Sequence, residues 1–204
     1  MVGLLPYASG YHVGVIYGLN EHDEPRVIHF TPRGLTSEPV SERWLRVFSD
    51  IEEVRRDALS SWCDLIAENR ANDEITFGFD FDNPWVDDEG VIRTENDTAL
   101  SLTCATFVMT LFRCVRIELL DIKTWQHRED DAAEQAALTM ALAGHDTDRA
   151  TTESARQQVG YMRYRAEEVA GASASGPRPV PFKRAEELGR EIEMYLIRSQ
   201  AESS

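Results

Sequence analysis

The sequence predicts an α+β protein, on three observations. Strand-like segments cluster near the start, apolar residues at helical spacing follow, and the last third is rich in Ala and charged helix formers. His12–Gly18 (HVGVIYG) is dense in Val, Ile and Tyr, and Arg26–Thr31 (RVIHFT) is a second such run. The polar, turn-forming stretch between them predicts a β-hairpin, which Pro32 to Gly34 ends.

Residues 41–70 read as helix, because Trp44, Leu45, Phe48, Ile51, Val54, Leu59, Trp62, Leu65 and Ile66 recur mostly at steps of three and four. Asp50 is a candidate cap for a second helix after a break near Ser49. Ile75–Phe81 alternates and predicts a strand. Residues 82–98 are acidic and turn-rich, as surface loops are. Leu102–Arg113 predicts an apolar helix capped by Ser101 or Thr103. Further helices are expected over 129–143, 148–170 and 183–199. Residues 171–181 (GASASGPRPVP) read as a flexible Pro-rich linker. The chain is thus divided at 1–125, a mixed domain, and 126–204, a helical extension.

The charge balance narrows the partners. Among 204 residues, 36 Asp and Glu outweigh 21 Lys and Arg, for a net charge of −15. Such a chain repels phosphate backbones and anionic lipid, so a cationic or neutral substrate is expected rather than nucleic acid. Three cysteines (Cys63, Cys104 and Cys114) are too few and too irregular for a disulfide framework. There is no signal-like start and no membrane-length apolar run, so a cytoplasmic location is expected.

One cysteine stands where chemistry is favoured. Cys104 lies where a polar loop turns into the apolar helix. A helix start offers free N–H groups and partial positive charge, which favour thiolate and can bind an oxyanion. The commoner fate of a lone cysteine is burial as a small hydrophobe. A nucleophilic thiol needs a base, and His12, opening the first strand, is the candidate. His29 lies between Ile28 and Phe30 on the second strand, where a polar ring requires a partner. Orienting the catalytic imidazole is such a partnership. Bonding to a main-chain carbonyl would also satisfy it. His22, His127 and His145 are expected to have no role, and Cys63 and Cys114 to be packing residues.

These three segments resemble a known group. Tyr11-His12-Val13-Gly14-Val15-Ile16-Tyr17, Val27-Ile28-His29-Phe30-Thr31-Pro32 and Thr103-Cys104-Ala105-Thr106-Phe107-Val108 look like the permuted NlpC/P60 group of papain-like proteins. That group includes the lecithin:retinol acyltransferase-like enzymes. Its order is His, polar partner, then Cys at a helix head. Val13 stands where those acyltransferases have an aromatic, and Thr103 where they have Asn. The resemblance implies a papain-like antiparallel sheet packed on helices, with Cys104 as nucleophile, His12 as base and His29 as its orienting partner. Tyr11, Tyr17 and Thr103 are the candidate substrate or oxyanion contacts.

Three functions follow. The first is a thiol hydrolase of the peptidase or amidase kind, with ester or lipid acyl transfer as its variant. No cofactor is needed. The second is a binding or scaffold protein that docks a partner, or a second copy, through the C-terminal helix. The third is a zinc site at Cys104, His12 and His29, for which no ligand spacing argues.

Overall fold

The computed structural model describes residues 1–7, 10–18, 24–95, 100–143 and 149–202. Its centre is a five-stranded antiparallel sheet. Strands β1 (Val2–Tyr7), β2 (Gly10–Tyr17), β3 (Arg26–Thr31) and β4 (Gly34–Pro39) follow one another as a meander. A short β5 (Leu45–Val47) then pairs on the far side of β1, giving the order β4-β3-β2-β1-β5.

The expected hairpin is present as β2 and β3, in a register that pairs Gly14 with His29 and Tyr17 with Arg26. The strands on either side of it, β1 and β4, were not legible in the sequence.

Alternation gives the sheet two different faces. Val13, Val15, Tyr17, Ile28 and Phe30 point into the main core, with Val2 and Leu4 of β1. Leu5, Ile16 and Val27 point the other way, into a small cluster closed by Trp44. His12 and His29 have the parity of this second face, and both rings lie against Trp44, at 5.8 and 5.2 Å between centroids. Gly14 lies between them in the register. A Cβ there would come within 2.8 Å of the Ile28 carbonyl oxygen and 2.9 Å of the His29 Cβ. Only a bare Cα lets the strands close at this point.

The segment 41–70 is helical in its second half only. Helix α1 spans Glu53–Glu68 and buries Leu59, Cys63 and Ile66. Its apolar pattern begins too early. Leu45 joins the sheet, Trp44 closes the second face, and Phe48 and Val54 are left exposed at 75% and 70%. Periodicity cannot distinguish a helix face from residues that pack separately on two sides of a sheet.

The loop predicted over 82–98 holds a small hairpin, β7 (Trp85–Val86) and β8 (Ile92–Arg93). Asn72, fully buried, organises it by donating to the carbonyls of Ile66 and Gly90 and accepting from the Ile92 N–H. The strand predicted at Ile75–Phe81 shortens to β6 (Thr76–Phe77). It pairs in parallel with β9 (Ser101–Leu102), and β9 leads directly into α2 (Cys104–Cys114).

Helix α2 is the centre of the core, with every residue from Ala105 to Phe112 buried. It packs on β2 and β3, with Phe107 against Phe30 at 6.1 Å between ring centroids. Four more helices follow: α3 (Asp131–Ala143), α4 (Arg149–Gln157), α5 (Ala166–Ala174) and α6 (Phe182–Glu202).

The helical part does not stand apart from the sheet. Val169, Ala170, Ala172, Phe182, Ala185 and Leu188 belong to the same apolar cluster as Val13 and Phe107. Helix α5 contacts β1, β2 and α2, and α6 backs α5. Arg128 is half-buried in this region, stacks 4.6 Å from the Phe182 ring centroid, and donates to Glu168 and Glu186.

The predicted linker at 171–181 is not a tether. Gly171 lies inside α5, where a Cβ would meet Leu188 at 2.7 Å. Val180 donates its N–H to the Leu119 carbonyl and accepts from the Asp121 N–H. Small residues there serve close helix crossing, which composition alone reads as flexibility.

Candidate functional site

Cys104 is the first residue of α2, and its placement follows from local chemistry. Thr103 is the N-cap. Its hydroxyl accepts from the Thr106 N–H at 3.2 Å, while its own N–H donates to the Thr106 hydroxyl at 2.8 Å. This reciprocal box holds the first turn rigidly under the cysteine. The parallel β6–β9 pair anchors the preceding residues. The backbone N–H groups of Val13, Ala105 and Cys104 itself lie near enough to the sulfur to draw the thiol down. The Val13 N–H belongs to the peptide bond that joins it to His12. The β2–β3 ladder stops at Gly14↔His29, one residue short of this peptide. The sulfur therefore meets β2 at the peptide following His12.

Among the described residues no hydrogen bond joins the Cys104 sulfur to the His12 ring, which lies on the other face of the sheet. Its Nε2 is 2.7 Å from Nδ1 of His29, a short hydrogen bond between two imidazoles. The rings are nearly perpendicular, at 79°, with centroids 4.9 Å apart. Tyr7 lies edge-on to His12 at 6.0 Å, and Trp44 packs on both histidines. On its far side, His29 presents Nε2 to a Glu38 carboxylate oxygen at 3.5 Å, within ion-pair range but longer than a good hydrogen bond.

The electrostatics differ from what a helix head alone implies. Burial pushes the Cys104 thiol up to about 11, outweighing the three N–H groups that pull it down. Burial, and then the neighbouring His29, hold His12 down to about 3. His29 is also lowered by burial, opposed by the carboxylate of Glu38. Both shifts favour a neutral thiol and a neutral imidazole at rest, against the thiolate that a helix start by itself favours. Desolvation penalises a lone charge more than a helix start rewards it. Cys104 nevertheless retains accessible surface, although protein atoms crowd the sulfur.

The other candidates divide. Tyr11 precedes His12 on β2 and has the parity of the Cys104 face. It is half-buried, and its hydroxyl is raised by burial and by Glu193 and Glu167. Tyr17 is a correction. It is 4% exposed at the other end of β2, with its hydroxyl 2.7 Å from that of Ser37. Five residues of extended strand, about 16 Å, separate it from His12. Thr103 is held in the cap: its oxygen accepts from the Thr106 N–H, and its hydroxyl lies 3.2 Å from that of Thr106.

Cys63 is fully buried, and the Cys114 sulfur faces the Thr110 carbonyl at 3.6 Å. Both are packing residues, as expected. His22 and His145 lie outside the described residues. Among the described residues no group of three His, Cys, Asp or Glu side chains is arranged to hold a metal ion.

Three residues near the site were missed in the sequence. Glu38 faces His29, Trp44 covers both rings, and Glu167 of α5 acts on Cys104 through its charge, in a buried setting that raises its own carboxyl. None has a local signal. Each arrives through strand pairing or helix docking. No family model, no curated protein and no solved structure matches this chain.

Proposed function

We propose that the chain is a thiol hydrolase, a peptidase or amidase, working through a thioester on Cys104. The reading is supported by the Cys104 sulfur lying near the peptide that follows His12, while the His12 ring is hydrogen-bonded to His29 at 2.7 Å on the opposite face of β2, so the ring must turn toward the sulfur for the base to act. In this reading His12 takes the thiol proton as the sulfur attacks the substrate carbonyl. The carbon–sulfur bond forms, the carbon–nitrogen bond breaks, and His12 returns the proton to the leaving amine. Water then attacks the thioester with His12 again as base, the carbon–sulfur bond breaks to release the acid, and His12 returns the proton to the Cys104 sulfur. Because both groups rest neutral, proton transfer accompanies attack rather than preceding it. The backbone N–H of Cys104, at the first turn of α2, is the oxyanion donor, with Tyr11 a second candidate.

The resemblance of the three motifs to the permuted NlpC/P60 group supports the same assignment. A second reading, a binding protein on an inactive scaffold, is favoured by the burial that pushes the thiol to about 11. Electrophile labelling and hydrolysis separate the two. The hydrolase reading expects iodoacetamide to modify Cys104 before Cys63 and Cys114. It also expects Cys104→Ala and His12→Ala each to lower kcat on peptide or anilide substrates by about a hundredfold or more. Equally slow labelling of all three thiols, with no Cys104-dependent turnover, sinks the hydrolase.

A further inference from the structure

His29 is more than a neighbour of His12, because its two ring nitrogens have unlike partners. Nδ1 lies 2.7 Å from Nε2 of His12. Nε2 is buried, has no other partner, and faces Oε1 of Glu38 at 3.5 Å. The register produces this. Val27 pairs with Glu38 and His29 with Thr36, so Glu38 is the diagonal neighbour of His29 on the same face of the sheet.

We propose that Glu38 is a positioning residue that sets the tautomers of both histidines and leaves Nδ1 of His12 as the free base. An ionised carboxylate only accepts hydrogen bonds. A lone pair on His29 Nε2 facing it in a buried place would be repulsive, so that nitrogen carries the proton. A neutral imidazole has one N–H, so His29 Nδ1 accepts. The hydrogen bond between the rings must then be donated by His12 Nε2. His12 in turn has its lone pair on Nδ1. Reversing the chain would protonate Nδ1 of His12 and remove the base. As His12 becomes positive during attack, the charge at Glu38 reaches it through His29.

The catalytic consequence rests on the thiol-hydrolase reading, whereas the tautomers do not. Nitrogen-15 NMR of the full chain, labelled at histidine, reads the tautomers directly. Wild type is expected to show Nε2–H on both His12 and His29. Glu38→Ala is expected to shift both toward Nδ1–H, and Glu38→Asp to keep the wild-type pattern. Glu38 is about half exposed, so neither change opens a core cavity. In turnover, Glu38→Ala is expected to lower kcat about tenfold or more at unchanged KM, with Glu38→Asp recovering most of it. Nδ1–H on His12 in the wild type overturns the proposal without any variant, and so do unchanged tautomers in Glu38→Ala. A wild type with the expected tautomers and no Cys104-dependent turnover removes the hydrolase and leaves the relay standing.

Discussion

A single imidazole shows how environment overrides residue type. His12 is held neutral down to about 3, against an ordinary value of 6.5, mainly by burial. The sign of its effect on stability follows. Between pH 6.5 and 3 the unfolded chain binds a proton that the folded His12 refuses. Its contribution is present in full above pH 6.5 and is lost as pH falls through that window. His29, also lowered, acts in the same direction. The unfolding free energy from urea titrations is expected to drop between pH 6.5 and 4 by an amount on the order of a few kcal/mol in total. His12→Phe is expected to flatten that slope, and a slope unchanged by the substitution would contradict the assignment.

The elements around the site tolerate little, because two local devices aim it. The Thr103–Thr106 box fixes the first turn of α2, and Thr103→Ala is expected to cost about 1 kcal/mol in thermal or urea unfolding. Its effect on kcat should exceed that of an equally destabilising change elsewhere in α2. Gly14 lets β2 and β3 close beneath the two histidines. Gly14→Ala places a Cβ 2.8 Å from the Ile28 carbonyl oxygen and is expected to cost about 1–3 kcal/mol. It should also disturb the His12–His29 hydrogen bond, read as a change in the imidazole NMR signals. A variant that leaves those signals in place would show that the pair does not depend on this close approach.

Across the whole molecule, one apolar cluster crosses the expected boundary at residue 125. Val169 and Ala170 of α5 are fully buried against the sheet, and Leu120 is bonded through its bridge to Val180. A chain ending at residue 125 would expose this surface, so it is expected to lose cooperative unfolding and to bind a hydrophobic dye. A sharp calorimetric transition from that fragment would restore the two-part description. Among the described residues no helix is long and apolar enough to cross a membrane.

The residues proposed to carry the chemistry were legible in the linear chain: a cysteine heading an apolar helix, one histidine opening a strand and another inside the next. So was the β2–β3 hairpin, since strand propensity and turn residues act over a few positions. The strands β1 and β4 were not legible, nor were Trp44 on the second face and Glu38 opposite His29. Their roles come from pairing partners remote in sequence. The same is true of 171–181, where small residues mean close packing only because α6 returns across α5. The sequence alone determined which groups exist and at which ends of local elements they stand. Burial and register, which are properties of the assembled sheet and its covering helices, decided that the thiol and imidazole rest uncharged and which side chains face them.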